Sequence, residues 1–167
     1  KNAINTNNTN LKILYLSQKI SRIPVKEQED FTFLPLSKTY KNIEDILSAL
    51  VDCSIKNFVF KIRIPLQMCY GKISHNDFKR YPIKLVSDGL LIDDIINSDI
   101  VFCDYTSAMI YSLNTRPTRI LNSGKLEYFC KVDLNIRKKL KPYRHLIINS
   151  VDKIVMNELI NPSKNDL

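Results

Sequence analysis

Ser98-Asp99-Ile100-Val101-Phe102-Cys103-Asp104-Tyr105-Thr106-Ser107-Ala108 is the stretch on which the reading of this chain turns. Asp99 to Cys103 is a nearly unbroken apolar strand. Asp104-Tyr105-Thr106-Ser107 then leads into Ala108 to Asn114, where Ala108, Met109, Tyr111, Ser112 and Leu113 suit a helix packed on a sheet. A strand without polar alternation is covered on both faces, as the strands of parallel sheets are.

The same alternation repeats outward from this segment. Leu11 to Leu16 predicts a strand, followed by a polar loop to about Asp30 that holds Ser17, Gln18, Lys19, Ser21 and Arg22. Ile43, Ile46, Leu47, Leu50 and Val51 then recur at helical steps between Tyr40 and Cys53. Asn57 to Ile64 is aromatic and β-branched and is stopped by Pro65, which predicts a strand ending near Arg63. Residues 66–82 read as a loop with one helical turn, Ile83 to Val86 as a short strand and Leu90 to Asn97 as a helix. Pro117 to Leu121 and His145 to Asn149 read as strands, and residues 125–142 as basic loop or short helix. Ser150-Val151-Asp152-Lys153 reads as the cap of a last helix running to about Ile160. The prediction is an α/β fold: a Rossmann-like parallel sheet with helices on both faces over residues 11–161, between a polar lead (1–10) and a tail (162–167). Ligands of such sheets bind beyond the carboxyl ends of the strands, which directs attention to the loops after residues 16, 63, 86, 103 and 121.

The composition fits this. Hydrophobic residues make up 44% and charged residues 25% of 167, usage that excludes disorder along the whole length. Twenty-five Lys plus Arg against 17 Asp plus Glu give a formal charge of +8, which favours anionic partners without choosing among them. Cys53, Cys69, Cys103 and Cys130 contain no Cys-x-x-Cys pair and read as reduced, buried thiols, so neither a zinc site nor a redox centre is expected. No run reaches the roughly 18 apolar residues of a membrane span, and no leader-like segment opens the chain, so a cytoplasmic location is expected. The first residue is Lys, consistent with a piece of a longer protein.

Several loops carry residues with chemical potential, each with an ordinary alternative. At Asp104 to Ala108 a helix starts at a strand's carboxyl end, where unpartnered amides and the hydroxyls of Thr106 and Ser107 suit a diphosphate; an ordinary helix cap with Asp104 or Thr106 as acceptor competes. Lys61 and Arg63 face one side of a strand and suit phosphate, or else a solvated sheet edge. His75 lies in a polar loop with either an acid-base role or none, and His145 reads as structural. Ser123-Gly124-Lys125 lacks the rest of the Gly-x-x-x-x-Gly-Lys-Ser/Thr loop, which excludes a Walker nucleotide site. Lys138-Lys139-Leu140-Lys141-Pro142-Tyr143-Arg144 is the densest basic cluster. It reads as a solvated loop or a contact to an anionic membrane at its inner face, and the absence of any nucleic-acid motif argues against nucleic-acid binding.

The segments Ile13-Leu14-Tyr15-Leu16-Ser17, Phe58 to Pro65, Leu85-Val86-Ser87-Asp88-Gly89 and Ile95 to Ser107 together resemble the C-terminal, donor-binding half of GT-B glycosyltransferases. The nearest group is that of CDP-glycerol glycerophosphotransferases and bacterial capsule or polysialic acid transferases. In that group a segment Ser-Asp, three apolar residues and one further residue, then Asp-Tyr-Ser-Ser precedes a helix and a short Lys-Pro strand and binds the donor phosphates. Ser98-Asp99, Asp104-Tyr105-Thr106-Ser107 and Arg116-Pro117 stand in the matching places.

The resemblance implies a nucleotide-sugar or CDP-polyol donor used in surface polysaccharide synthesis, with no further cofactor and no metal. The acceptor-binding domain, with the catalytic base, would lie outside this chain. Thr106 to Ala108, Arg63 and Lys61 would hold the diphosphate, Ser87, Asp88 and Gly89 would line the base or ribose pocket, and Ser17 with Gln18 would lie at the rim. The group's Lys-x-His-Pro segment reads Lys61-Ile62-Arg63-Ile64-Pro65 here. Arg63 supplies charge but no proton transfer, so no catalytic residue is assigned. Two readings from other classes are a receiver-like regulatory module with Asp104 as its acidic residue, and a nucleotide-sugar epimerase fragment.

Overall fold

The computed structural model describes residues 10–23, 33–123 and 125–162. Most of the expected lead and tail, the end of the polar loop that runs to Asp30, and Gly124 lie outside the described residues. Among the described residues eight strands and six helices follow one another as β1 (Leu11–Leu16), β2 (Ile20–Ser21), β3 (Leu34–Pro35), α1 (Leu36–Asp52), β4 (Phe58–Arg63), β5 (Lys84–Val86), α2 (Leu91–Ile96), β6 (Ile100–Cys103), α3 (Met109–Thr115), β7 (Thr118–Leu121), α4 (Lys125–Val132), α5 (Leu134–Leu140), β8 (Ile147–Ile148) and α6 (Lys153–Ile160). Six strands form one sheet in the order β5-β4-β1-β6-β7-β8, and every pairing is parallel. Counted within that sheet, the order is 3-2-1-4-5-6, that of a Rossmann-like fold. Its switch point lies between β1 and β6, where successive connections leave toward opposite faces.

Side-chain alternation along the strands creates the two faces. Leu11, Ile13 and Tyr15 of β1, Phe60 and Ile62 of β4, and Ile100 and Phe102 of β6 point into a core closed by α1 and α6. Leu14 and Leu16, with Val101 and Cys103, point into the opposite core, closed by α2, α3, α4 and α5. β6 is buried at all four positions, which is why its sequence shows no polar alternation.

Two departures from the sequence reading concern the first connection. α1 begins at Leu36, four residues before the expected start, because Leu36 and Thr39 extend the buried stripe of Ile43, Ile46 and Leu50. The polar loop after β1 is also more ordered than expected. β2 pairs in parallel with β3, Ser21 bridges Tyr70, and the Tyr70 amide donates to the Ile20 carbonyl at 2.9 Å. His145 lies on an exposed 3₁₀ turn just ahead of β8, not in the strand. Residues 125–142, expected as basic loop or short helix, form α4 and α5, and the Asp133 carboxylate caps α5 by accepting from the amides of Asn135 and Ile136.

The end of α1 is built without the usual glycine. The Ile55 amide donates to Leu50 O and the Ser54 amide to Val51 O, both at 2.9 Å, the paired bonds of a Schellman closure. The closure puts Ser54 at φ 58°, a left-handed conformation that costs a side-chain-bearing residue about 1 kcal/mol or more. Ser54→Gly is therefore expected to stabilise the protein by roughly 0.5–1 kcal/mol, read as a higher urea midpoint at unchanged m-value. A lower midpoint would show that the Ser54 conformation carries no strain.

Candidate functional site

The carboxyl ends of β1, β4, β5 and β6 surround one pocket of about 490 Å³ at the switch point. β1 contributes Leu16 and the following Ser17, Gln18 and Lys19; β4 contributes Arg63 and the following Ile64 and Pro65. Ser87 follows β5, Leu91 opens α2, and Tyr105, Thr106, Ser107 and Ala108 form the wall after β6. The walls combine an apolar lining from Leu16, Ile64, Pro65, Met68 and Leu91 with a few convergent polar groups.

The wall after β6 is a turn. The Met109 amide bonds back to the Thr106 carbonyl at 3.1 Å, so α3 starts at Met109, and the amides of Thr106, Ser107 and Ala108 meet no acceptor among the described residues. Ser107 is exposed and Ala108 nearly buried, while the Thr106 hydroxyl oxygen is buried without a hydrogen-bond partner. A buried hydroxyl lacking a partner forfeits the hydrogen bonding it has in water.

Asp104 takes a different place from the one the sequence suggested. Its side chain is completely buried and accepts from the Tyr15 hydroxyl at 2.8 Å, the Gln18 amide at 3.1 Å and the Ser123 hydroxyl at 3.2 Å. The Tyr15 hydroxyl in turn accepts from Asn42 Nδ2 of α1 at 2.9 Å. The carboxylate therefore faces the protein's own donors, and it fastens the segments after β1, β6 and β7 to one another. A carboxylate enclosed this way is also out of reach of a phosphodonor, as a receiver's acidic residue must not be. Burial pushes the Asp104 carboxyl up to about 6, against the opposing pull of its hydrogen bonds, and burial followed by the Asp104 charge raises the Tyr15 hydroxyl well above its usual range.

Arg63 and Lys61 are corrected in part. They do face one side, but β4 is covered by β5 and both side chains reach Asp94 of α2, at 2.7 and 3.7 Å, so the strand is not a solvated edge. Arg63 Nη1 also donates to the Asp88 carbonyl at 2.8 Å and Nη2 to the Gly89 carbonyl at 2.7 Å. The guanidinium lines the pocket while clasping the turn between β5 and α2. Asp88 and Gly89 serve this clasp through their carbonyls, and of Ser87, Asp88 and Gly89 only Ser87 lines the cavity. Gly89 holds φ 73°, which brings the turn's carbonyls inward.

Ser17 and Gln18, expected at the rim facing the acceptor-binding domain, are buried and form part of the pocket wall. Ser98 and Asp99 stand at the amino end of β6, away from the pocket: the Ser98 hydroxyl donates to Ile95 O, and Asp99 accepts the Lys12 amide and donates its own amide to Lys12 O. His75 is exposed in a 3₁₀ turn outside the pocket. Cys53, Cys69 and Cys103 carry free thiols, and burial pushes each of them up.

Sequence reasoning missed two groups that shape the site. Asp94 is 31 residues from Arg63, and Tyr15 is 89 from Asp104, separations that no local pattern reports. One signal was present, since Asn42 sits in register with the apolar stripe of α1, and a polar residue there announces a buried partner. Lys19, whose ammonium lies 4.6 Å from the Phe33 ring centroid, is the second cation of the lining. No protein-family model matches the chain, and neither a curated protein nor a solved structure matches it.

The buried carboxyl makes stability pH-dependent with a definite sign. Its native pKa of about 6 lies above the unfolded 3.8, so its contribution is most favourable below pH 4 and is lost as pH rises through 6. The loss approaches about 3 kcal/mol at neutral pH. Asp104→Asn keeps the shape and cannot ionise. Between pH 4 and 7.5, denaturant titrations of the two proteins are expected to show wild type losing stability relative to the variant by an amount of this order. Parallel pH profiles would place the Asp104 titration at its ordinary value.

Proposed function

We propose that this domain binds a nucleotide-activated donor and forms the donor-binding half of a glycosyltransferase or polyol-phosphate transferase. The observation that carries the reading is the pocket at the β1/β6 switch point, one wall of which is the turn after β6, where the amides of Thr106, Ser107 and Ala108 meet no acceptor among the described residues and Ser107 is exposed. A diphosphate at that wall would receive main-chain N–H groups and the hydroxyls of Thr106 and Ser107, with Lys19 and Arg63 supplying positive charge. The apolar lining from Ile64, Pro65, Met68 and Leu91 suits the flat face of a base and the carbon skeleton of a sugar or polyol.

The chemistry assigned to this chain is retention and charge stabilisation. As the donor bond breaks, negative charge grows on the leaving nucleotide, a nucleoside diphosphate from a nucleotide sugar or CMP from a CDP-polyol, and donors fixed beforehand around its phosphates lower the barrier. The proton acceptor for the incoming hydroxyl is assigned to the acceptor-binding domain outside this chain.

Two alternatives fare less well against particular observations. A dinucleotide-binding epimerase or dehydrogenase needs a Gly-x-Gly-x-x-Gly turn after its first strand so that the backbone can approach the pyrophosphate, and Ser17-Gln18-Lys19 stands there instead. A receiver sheet runs 2-1-3-4-5, whereas this one carries a further strand, β5, outside its second.

The test is a thermal-shift panel with CDP, CMP, UDP and GDP on wild type, Ser107→Ala and Arg63→Ala. A nucleotide at a hundred times its Kd stabilises by about 2.7 kcal/mol, a rise of roughly 5–10 °C for a chain of this size. The diphosphate of the preferred base is expected to raise Tm more than its monophosphate, with a smaller rise for both variants. If no nucleotide moves Tm, or both variants respond as wild type does, the donor reading is wrong.

A further inference from the structure

The charge on this chain is concentrated. Residues 131–145 carry Lys131, Arg137, Lys138, Lys139, Lys141 and Arg144 against one acidic residue, Asp133, so a segment of 15 residues holds more than half of the +8 net charge. The Asp133 carboxylate is committed to the amides of Asn135 and Ile136 at the start of α5. Among the described residues, no carboxylate lies within ion-pair distance of Lys138, Lys139, Lys141 or Arg144, and Arg137 donates only to the main chain, at Lys131 O.

The fold sorts this segment into two faces. Ile136, Leu140, Tyr143 and Ile147 recur at helical steps and pack into the core closed by α2, α3, α4 and α5. The opposite face and its flanks run through Leu134, Arg137, Lys138, Lys139, Lys141 and Arg144, all exposed. At its head two apolar side chains stand in solvent, Val132 at 58% and Leu134 at 65% exposure. Cations in a row with aliphatic side chains at one end match a surface that offers both anionic headgroups and an apolar layer beneath them. A nucleic acid offers phosphate without an aliphatic layer, and proteins that grip single strands supply exposed rings for stacking. Tyr143, the one aromatic residue of the segment, is packed against the core.

We infer that the outer face of α5 and the 3₁₀ turn after it is a docking surface for an anionic phospholipid membrane, held by Arg137, Lys138, Lys139, Lys141 and Arg144 with Val132 and Leu134 entering the interface. The contact is superficial. Among the described residues no helix is long and apolar enough to cross a membrane, and the apolar stripe of α5 is already used by the core. The inference is independent of the pocket and stands or falls without it.

Co-sedimentation of the full chain with vesicles tests it, using phosphatidylcholine alone and phosphatidylcholine with about one-third phosphatidylglycerol. Binding is expected only to the anionic vesicles and is expected to fall with added salt. Lys138→Glu/Lys139→Glu/Lys141→Glu is expected to weaken binding at least about tenfold. Leu134→Ser, which leaves every charge in place, should weaken it measurably, and thermal melting of both variants checks that they are folded. Equal sedimentation with both vesicle types, no sedimentation with either, or an unchanged response of the folded charge-reversal variant would overturn the assignment. So would a single-stranded or duplex RNA that displaces the protein from anionic vesicles at lower concentration than anionic lipid does, since that outcome assigns the face to nucleic acid.

Discussion

A buried carboxylate holds the carboxyl-end edge of this sheet together. Asp104 follows β6 and accepts hydrogen bonds from Tyr15 within β1, from the Gln18 amide after β1 and from Ser123 after β7, while Asn42 of α1 supports the tyrosine from behind. Parallel strands are joined by long crossovers, so nothing in the chain's connectivity aligns their carboxyl ends with one another. One acceptor with several lone pairs does so here. Enclosing it in a dry interior is expensive, and each donor it gathers recovers part of that cost. The pocket wall from Tyr105 to Ala108 follows directly from Asp104 in sequence, so the geometry of the wall is inherited from the position of that carboxylate.

The second constraint is the two-residue period of the strands. β4 sends Phe60 and Ile62 toward α1, and the same period sends Lys61 and Arg63 to the other side of the sheet. There α2 supplies Asp94, which turns two half-buried cations into an ion-paired cluster and leaves the remaining Arg63 donors for the carbonyls of Asp88 and Gly89. A charge that sequence alone offers to a ligand is thus already shared with the protein's own turn. The consequence for the pocket is a positive wall of moderate strength, backed by neutral donors from the main chain and hydroxyls, which suits a ligand recognised by hydrogen bonding as much as by charge.

Much of the architecture was legible from one strand. The apolar run ending at Cys103 and the helix-like spacing after it imply a covered parallel strand, and the repetition of that unit up and down the chain implies the α/β layering that the structure has. The strand ends were legible too, and Thr106, Ser107, Ala108, Arg63 and Ser87 all line the pocket beyond them. Roles were less legible. Asp104 and Ser98-Asp99 read as ligand-facing by their position in a motif, but the first is an interior hub and the others fasten the opposite end of β6 to β1.

What the sequence determined by itself is therefore periodic and local: the strands of the central sheet, the amphipathic helices α1, α2, α3 and α6, which side of each is apolar, and where β1, β4, β5, β6 and β7 stop. These follow from the spacing of side chains along a single element, and need no knowledge of its neighbours. Only the tertiary structure decided which polar groups are spent internally. The partners of Asp104 lie as far as 89 residues away, and that of Arg63 lies 31 away. Whether a carboxylate or guanidinium faces a ligand or its own protein depends on strand order and on which face a crossover helix covers, quantities that exist only once the sheet has assembled.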